Sequence, residues 1–462
     1  MTNKEWETSP IAPDTQSRGS RKIPGRQSVV FLVRSDVKKE LERGKRKFEA
    51  GDTEGARLAY ERALDLDPGC AIAYFYLGFT YHEMGNLEAA KEYYLQAIDL
   101  ERKQSLFLEH LARLHFETEE YSVCLVRFQE AQAVGPLQPI SYGLMGRAHF
   151  ELDRYPESIA CLEKMLELEE EPRLRRIAMY YLILAHLKDG SMIPARRRAF
   201  ELLEDSHADP LILSALADRF QAAGCLSLAL TFLERMEEDS EGVADRIEEI
   251  QALLSKTEPR LHNLFTSDEE KLLHHLHVVS QVGGDRIFRV LMSLMETPSA
   301  LVREAVVSYC RKFGYEVGES TLGACMNGEP LLREAALLYL AETFEPRYLD
   351  LLIQNLGHPS KEVQLAVARY LERRGRFEHL RLLEARMEVA EGAGLRRQLQ
   401  RAINQIKRRH TEQTDKLIHK EAQPMRALIA KQEEKRLGIL RWVALGLLVV
   451  YLSIRGFLFF FE

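Results

Sequence analysis

Alternating apolar–polar stretches of the kind that build half-buried sheets are nearly missing from these 462 residues, which excludes a β-rich fold. Proline is scarce as well, 16 residues in all, while runs of Ala, Leu, Glu, Arg and Lys dominate, so helices are expected almost throughout. The six cysteines (Cys70, Cys124, Cys161, Cys225, Cys310 and Cys325) form no C-x-x-C pair, and most sit in apolar helical runs. That argues against a disulfide framework and for small core residues in a reducing compartment. No glycine-rich phosphate loop, G-x-S-x-G elbow or H-E-x-x-H motif occurs, so no catalytic residue, cofactor or small-molecule substrate is expected. A cluster of His274, His275 and His277 looks metal-like, but on a helix 275 points about 100° away from 274. No Cys or suitably spaced carboxylate completes a ligand set, so no metal is expected. A signal peptide is also missing: Val29 to Val33 is too short a core, and the polar residues 1–36 are expected to be disordered.

What is present is a repeat. Glutamate recurs every 34 residues at Glu49, Glu83, Glu117 and Glu151, preceded by Phe48, His82, Phe116 and Phe150. Units then begin at Val37, Ala71, Ser105 and Pro139. Their eighth positions are small (Gly44, Gly78, Ala112, Gly146), as are their twentieth (Ala56, Ala90, Cys124, Ser158). The twenty-fourth are large (Tyr60, Tyr94, Phe128, Leu162), as two closely approaching helices require. Gly51 and Gly85 fall where a helix must stop and turn. The best unit reads Tyr74, Leu77-Gly78, Tyr81, Ala90, Tyr94, Ala97, with Arg102 where a proline would end the pattern. It resembles the tetratricopeptide repeat. A further unit holds Ala217, Gly224 and Ala229, and residues 174–205 look helical but match poorly.

The resemblance covers about 200 residues, and it implies helical hairpins stacked in a superhelix whose first helices line a concave, protein-binding side. There the columns Phe48, His82, Phe116, Phe150 and Glu49, Glu83, Glu117, Glu151 would lie beside Lys45, Phe79, Arg113 and Arg147. Two readings stand side by side: a groove that grips a partner peptide, or packing and pairing between neighbouring units. The asparagine that one subclass needs beside its lysine to clamp a C-terminal carboxylate is absent at the Lys45 column, so that mode is not expected.

Lys256-Thr257-Glu258-Pro259 breaks the pattern and predicts a linker over 256–265, after which Ser267 with Glu270 suggests a capping box. A second period, near 30, comes next. Val302-Arg303-Glu304-Ala305 is echoed by Leu332-Arg333-Glu334-Ala335 and Val363-Gln364-Leu365-Ala366, each with a tyrosine after it (Tyr309, Tyr339, Tyr370) and with Pro298, Pro330 and Pro359 ahead of them. This resembles short HEAT-like repeats over 266–409. The recurring arginine is expected to pair with acids of an adjacent repeat.

Trp442 to Phe461 carries one charge, Arg455, and about twenty residues of helix span a bilayer core. Lys435, Arg436 and Arg441 precede it as a cytoplasmic positive flank. Basic residues outnumber acidic ones between 393 and 436 although the whole chain has a net charge of -7, a distribution that suits anionic lipid better than nucleic acid.

The sequence therefore predicts an all-α protein of two α-solenoids, tetratricopeptide-like over 37–255 and HEAT-like over 266–409. A basic juxtamembrane helix over 410–437 and one C-terminal transmembrane helix over 438–461 would complete it. The expected role is a membrane-anchored, single-pass scaffold whose cytoplasmic bulk captures protein partners. The alternative is a receptor that binds clients transiently, in the manner of a chaperone.

Overall fold

The computed structural model describes residues 35–205, 209–236, 242–264, 266 and 268–411. The expected transmembrane helix and nearly all of the basic neck lie outside them, as does the N-terminal segment up to residue 34. Ser35 and Asp36, expected in that segment, already belong to the first helix. Every regular element among the described residues is helical, and none of these helices is long and apolar enough to cross a membrane. By internal packing the chain divides into residues 1–344 and 345–462.

The first unit opens with six helical hairpins: α1 Ser35–Glu49 with α2 Thr53–Leu66, α3 Ala71–Glu83 with α4 Leu87–Leu100, and α5 Ser105–Glu117 with α6 Tyr121–Val134. Then come α7 Pro139–Glu151 with α8 Tyr155–Leu168, α9 Pro172–Lys188 with α10 Met192–Leu203, and α11 Pro210–Ala222 with α12 Leu226–Glu234. The small-against-large rule holds within the pairs. A Cβ on Gly78 would lie 2.7 Å from the Tyr94 ring, and one on Gly146 would lie 2.6 Å from Leu162. Tyr60, Tyr94, Phe128 and Leu162 are all buried.

Between the helices of every pair one residue turns left-handed: Gly51, Gly85, Glu119, Asp153, Gly190 and Gly224. The intervals are 34 residues except for one of 37, between Asp153 and Gly190. The extra length sits in α9, which has 17 residues where α3, α5, α7 and α11 each have 13. Residues 174–205 match the repeat poorly for that reason: the fifth hairpin is built like the others but begins a turn early.

The predicted linker is not a break in helix. α13, Val243–Leu261, runs through 256–259, and a short 3-10 turn, His262–Leu264, succeeds it. Asp268 caps α14 (Glu269–Val279), its side chain accepting from the Lys271 N–H, and Ser267 lies outside the described residues. Next come α15 Asp285–Ser293, α16 Ala300–Phe313, α17 Glu319–Met326 and α18 Pro330–Thr343, all still in the first unit.

These helices dock on the hairpins. The Gly283 N–H donates to the Gly224 carbonyl at 2.8 Å, and Asp285 Oδ1 accepts from Arg196 (2.9 Å), Ser227 (3.0 Å) and Tyr315 (3.0 Å). The tyrosine column acquires a role here. Tyr309 Oη accepts from the Gly284 N–H, and Tyr339 Oη accepts from the Val317 N–H and donates to the Tyr315 carbonyl, so each latches the turn that opens the helix before its own. Of the recurring arginines, Arg303 donates to the carbonyls of Ser299 and Pro298 at the start of its own helix rather than to an acid of an adjacent repeat.

The second unit holds α19 Leu349–Gln354, α20 Lys361–Arg374, α21 Leu380–Val389 and a helix over 393–411. Tyr370 Oη donates to the Glu345 carbonyl at 2.6 Å, repeating the latch. Arg409 donates to the Arg373 and Gly375 carbonyls at the C-terminus of α20, and Leu371, Leu383, Leu399, Ile403 and Ile406 close the core.

Candidate partner-binding site

The first helices of successive hairpins stand side by side, α3 on α5, α5 on α7, α7 on α9 and α9 on α11. Positions 2, 5, 9 and 12 of each share one face, since their spacings of three and four match the helical turn. The aromatic column does not lie open on that face. Phe48, His82, Phe116 and Phe150 are all buried, and so is Phe79. They pack forward onto the next hairpin. The Phe48 and Phe79 rings are 5.2 Å apart, and the Phe79 ring meets His110 edge-on at 5.5 Å. The Arg147 guanidinium sits 4.9 Å over the Phe116 ring and 4.7 Å over Tyr181 of α9, and Phe150 contacts the same tyrosine.

The glutamates divide into two groups. Glu117 is committed: its Oε2 lies 2.6 Å from His82 Nε2 of the preceding hairpin, and its Oε1 accepts from Arg113 Nε at 3.0 Å. Burial opposes its charge, but the His82 and Arg113 bonds outweigh that and hold its carboxyl below the usual range. Glu49 and Glu83 are exposed, and Lys45 is half-buried. Glu151 is half-buried, its carboxyl pushed up by burial, with Arg147 offsetting this in part and Glu119 and Asp153 adding to it.

Two further residues tie hairpins together. Glu109 of α5 is buried, and its Oε2 accepts from the Gln138 N–H at 2.9 Å and from Ser141 Oγ at 2.6 Å, so it caps α7 across the repeat boundary. Burial raises its carboxyl pKa, and those two bonds draw it partly back. His110 is buried between Phe75, Phe79 and Tyr94, its Nδ1 unpartnered, and burial takes it down to about 3, so its ring stays neutral.

What remains available is a column the repeated motif does not contain. Position 2 is Ile72, Leu106, Ile140, Ile177 and Leu211, aliphatic in five successive hairpins. Ile72, Leu106 and Ile177 are half-buried, while Ile140 is 38% and Leu211 55% exposed. Counting in steps of 34 finds this column as far as Ile140 and then misses Ile177, because α9 is lengthened. A stripe of partly exposed aliphatic groups along neighbouring helices is suited to receiving a segment of chain.

Comparison with known proteins bears on the first unit. Residues 44–85 match a family model described as TPR repeat, and residues 71–104 and 140–172 match one described as tetratricopeptide repeat. The chain carries tetratricopeptide repeats. Among solved structures, the MamA protein is 21% identical with a TM-score of 0.32, the match covering 35% of this chain and 87% of that one. The pilF protein of Pseudomonas aeruginosa is 18% identical with a TM-score of 0.39, covering 47% and 97%. YrrB, described as a TPR protein with an unusual peptide-binding site, is 16% identical with a TM-score of 0.36, covering 41% and 98%. No curated protein matches. Among the described residues no group of His, Cys, Asp and Glu is arranged to hold a metal, and His274 and His277 are exposed on α14 of the same unit.

Proposed function

We propose that this protein is a membrane-anchored scaffold whose tetratricopeptide array holds an extended or helical segment of a protein partner. The observation that carries this reading is the partly exposed aliphatic column from Ile72 to Leu211, with Lys45, Glu49 and Glu83 left to read charge towards the C-terminal ends of the first two hairpins' leading helices. Apolar side chains of the partner would supply the affinity, and charge would fix its register. The buried aromatics and the His82–Glu117–Arg113 group hold this surface in shape. The helices after α13, which resemble HEAT-like repeats in their period, provide a further interaction surface. Residues 438–461 serve as the anchor and the basic stretch before them rests on anionic lipid, so that the bulk of the chain faces the cytoplasm.

Two measurements test this. Photo-crosslinkers placed at Ile140 and Leu211 should capture one stoichiometric partner from detergent extracts, and Glu49→Lys with Glu83→Lys should weaken that capture about tenfold while leaving helicity unchanged. Capture of many substoichiometric proteins would favour a transient receptor instead. Removing residues 437–462 should release the protein into the soluble fraction; if it still sediments with membranes, the anchor is elsewhere.

A further inference from the structure

A cavity of about 660 Å³ opens where α10, the start of α15 and the turn after α16 meet, all within the first unit. Its volume falls in the range of ligand-sized clefts. It is built on α10, the second helix of its hairpin, and so shares no residue with the aliphatic column of the first helices. Arg196 lines it and is only 6% exposed. Its guanidinium lies 4.0 Å over the Tyr315 ring and 5.2 Å over the Phe200 ring. Asp285 Oδ1, which holds one of its nitrogens, already accepts from Ser227 and Tyr315 as well, and Arg196 Nη1 has no hydrogen-bond partner among the described residues. A buried guanidinium that shares a single carboxylate with two hydroxyls leaves a positive potential at the cavity wall, which favours an anionic oxygen there.

The rest of the lining narrows the class. Arg289 is exposed on the same cavity and, among the described residues, donates to the Asp285 backbone carbonyl. Phe200 is 43% exposed, and Phe288 is stacked on Tyr315 at 4.4 Å, which gives an aromatic ledge. Of the acids around the opening, Glu316 is paired with Arg197 at 3.1 Å and Glu201 with Arg198 at 2.7 Å, which leaves Glu204 to repel an incoming anion, and it repels a singly charged carboxylate less than a phosphate dianion. We propose that this cavity binds a peptide segment of a partner protein in which one acidic side chain neighbours a bulky apolar one, the acid against Arg196 and Arg289 and the apolar group on Phe200 and Phe288. The scaffold then has a second docking point, chemically distinct from the first-helix face.

The test uses the full chain in detergent and a fluorescein-labelled hexapeptide, Gly-Ser-Phe-Asp-Gly-Ser, blocked at both ends, with binding read by anisotropy. Saturable binding is expected, with the Phe-Asn and Ala-Asp versions each weaker by roughly tenfold. Arg289→Glu and Phe200→Ser, both at exposed positions, should weaken the Phe-Asp peptide similarly, whereas Glu49→Lys with Glu83→Lys should not change it. Equal binding of the Phe-Asn version, displacement by millimolar inorganic phosphate, indifference to Arg289→Glu, or the lack of saturable binding by the Phe-Asp peptide would each overturn the proposal.

Discussion

At the scale of single residues, three buried or strained side chains make the array measurable. His110 has an ordinary value of 6.5 and is taken to about 3, by burial first and then by Arg113 and His82. Between those pH values the unfolded chain takes up a proton that the folded chain refuses. Stability from the neutral ring is therefore complete above pH 6.5 and falls by about 1.4 kcal/mol per unit of acidification below it. Urea melts at about pH 7 and about pH 5 should show a smaller loss in His110→Leu than in the parent, and an equal loss in both would show that the ring is not held neutral. Glu109 should tolerate Glu109→Gln, which keeps the accepting oxygen, whereas Glu109→Leu strands the Gln138 N–H and Ser141 hydroxyl and should cost about 1–3 kcal/mol. Glu119 occupies a left-handed turn at φ 60 without being glycine. Replacing it by glycine removes that strain, and a gain of up to about 1 kcal/mol is expected in chemical denaturation. None of these three was legible in the repeat. Glu109 and His110 sit at positions where other units carry unrelated residues, and a left-handed glutamate leaves no mark in the sequence as Gly51 and Gly85 do.

At the scale of the element, the helical hairpin could be read from its residues because sterics fix it. Gly78 is there since a Cβ would collide with Tyr94, and Gly78→Val should cost about 1–3 kcal/mol, with Tyr94→Leu in the same chain recovering part of it. Thermal melts of the single and double variants decide this, and additive losses would mean that the two residues do not share the space. The face of the hairpin was harder to read. A periodic phenylalanine serves a groove or the neighbouring unit equally well on paper, and only the rings of Phe48 on Phe79, and of Phe116 under Arg147, favour the neighbour. The Ile72–Leu211 column escaped because bulk and charge draw notice before plain aliphatics do. The fifth hairpin escaped because α9 begins a turn early.

At the scale of the whole first unit, the expected linker after residue 255 gives way to a continuous α13. α13 runs on through Pro259 and ends two residues later, at Leu261. The hairpins and the helices after α13 share Asp285, Tyr315 and the Gly224–Gly283 backbone pair, so residues 35–255 expressed alone should melt at lower temperature than residues 35–344. Identical melting would show the junction to be energetically idle. That junction also gives the array a direction. Stacked repeats unravel wherever neighbouring contacts are weakest, usually at either end. Here the sixth hairpin is stapled to the turns that open α15 and close α16, while α1 has, among the described residues, a neighbouring hairpin on one side only. Loosening should therefore start at Ser35 and travel inward, so amide protons of α1 and α2 would exchange before those of α11 and α12.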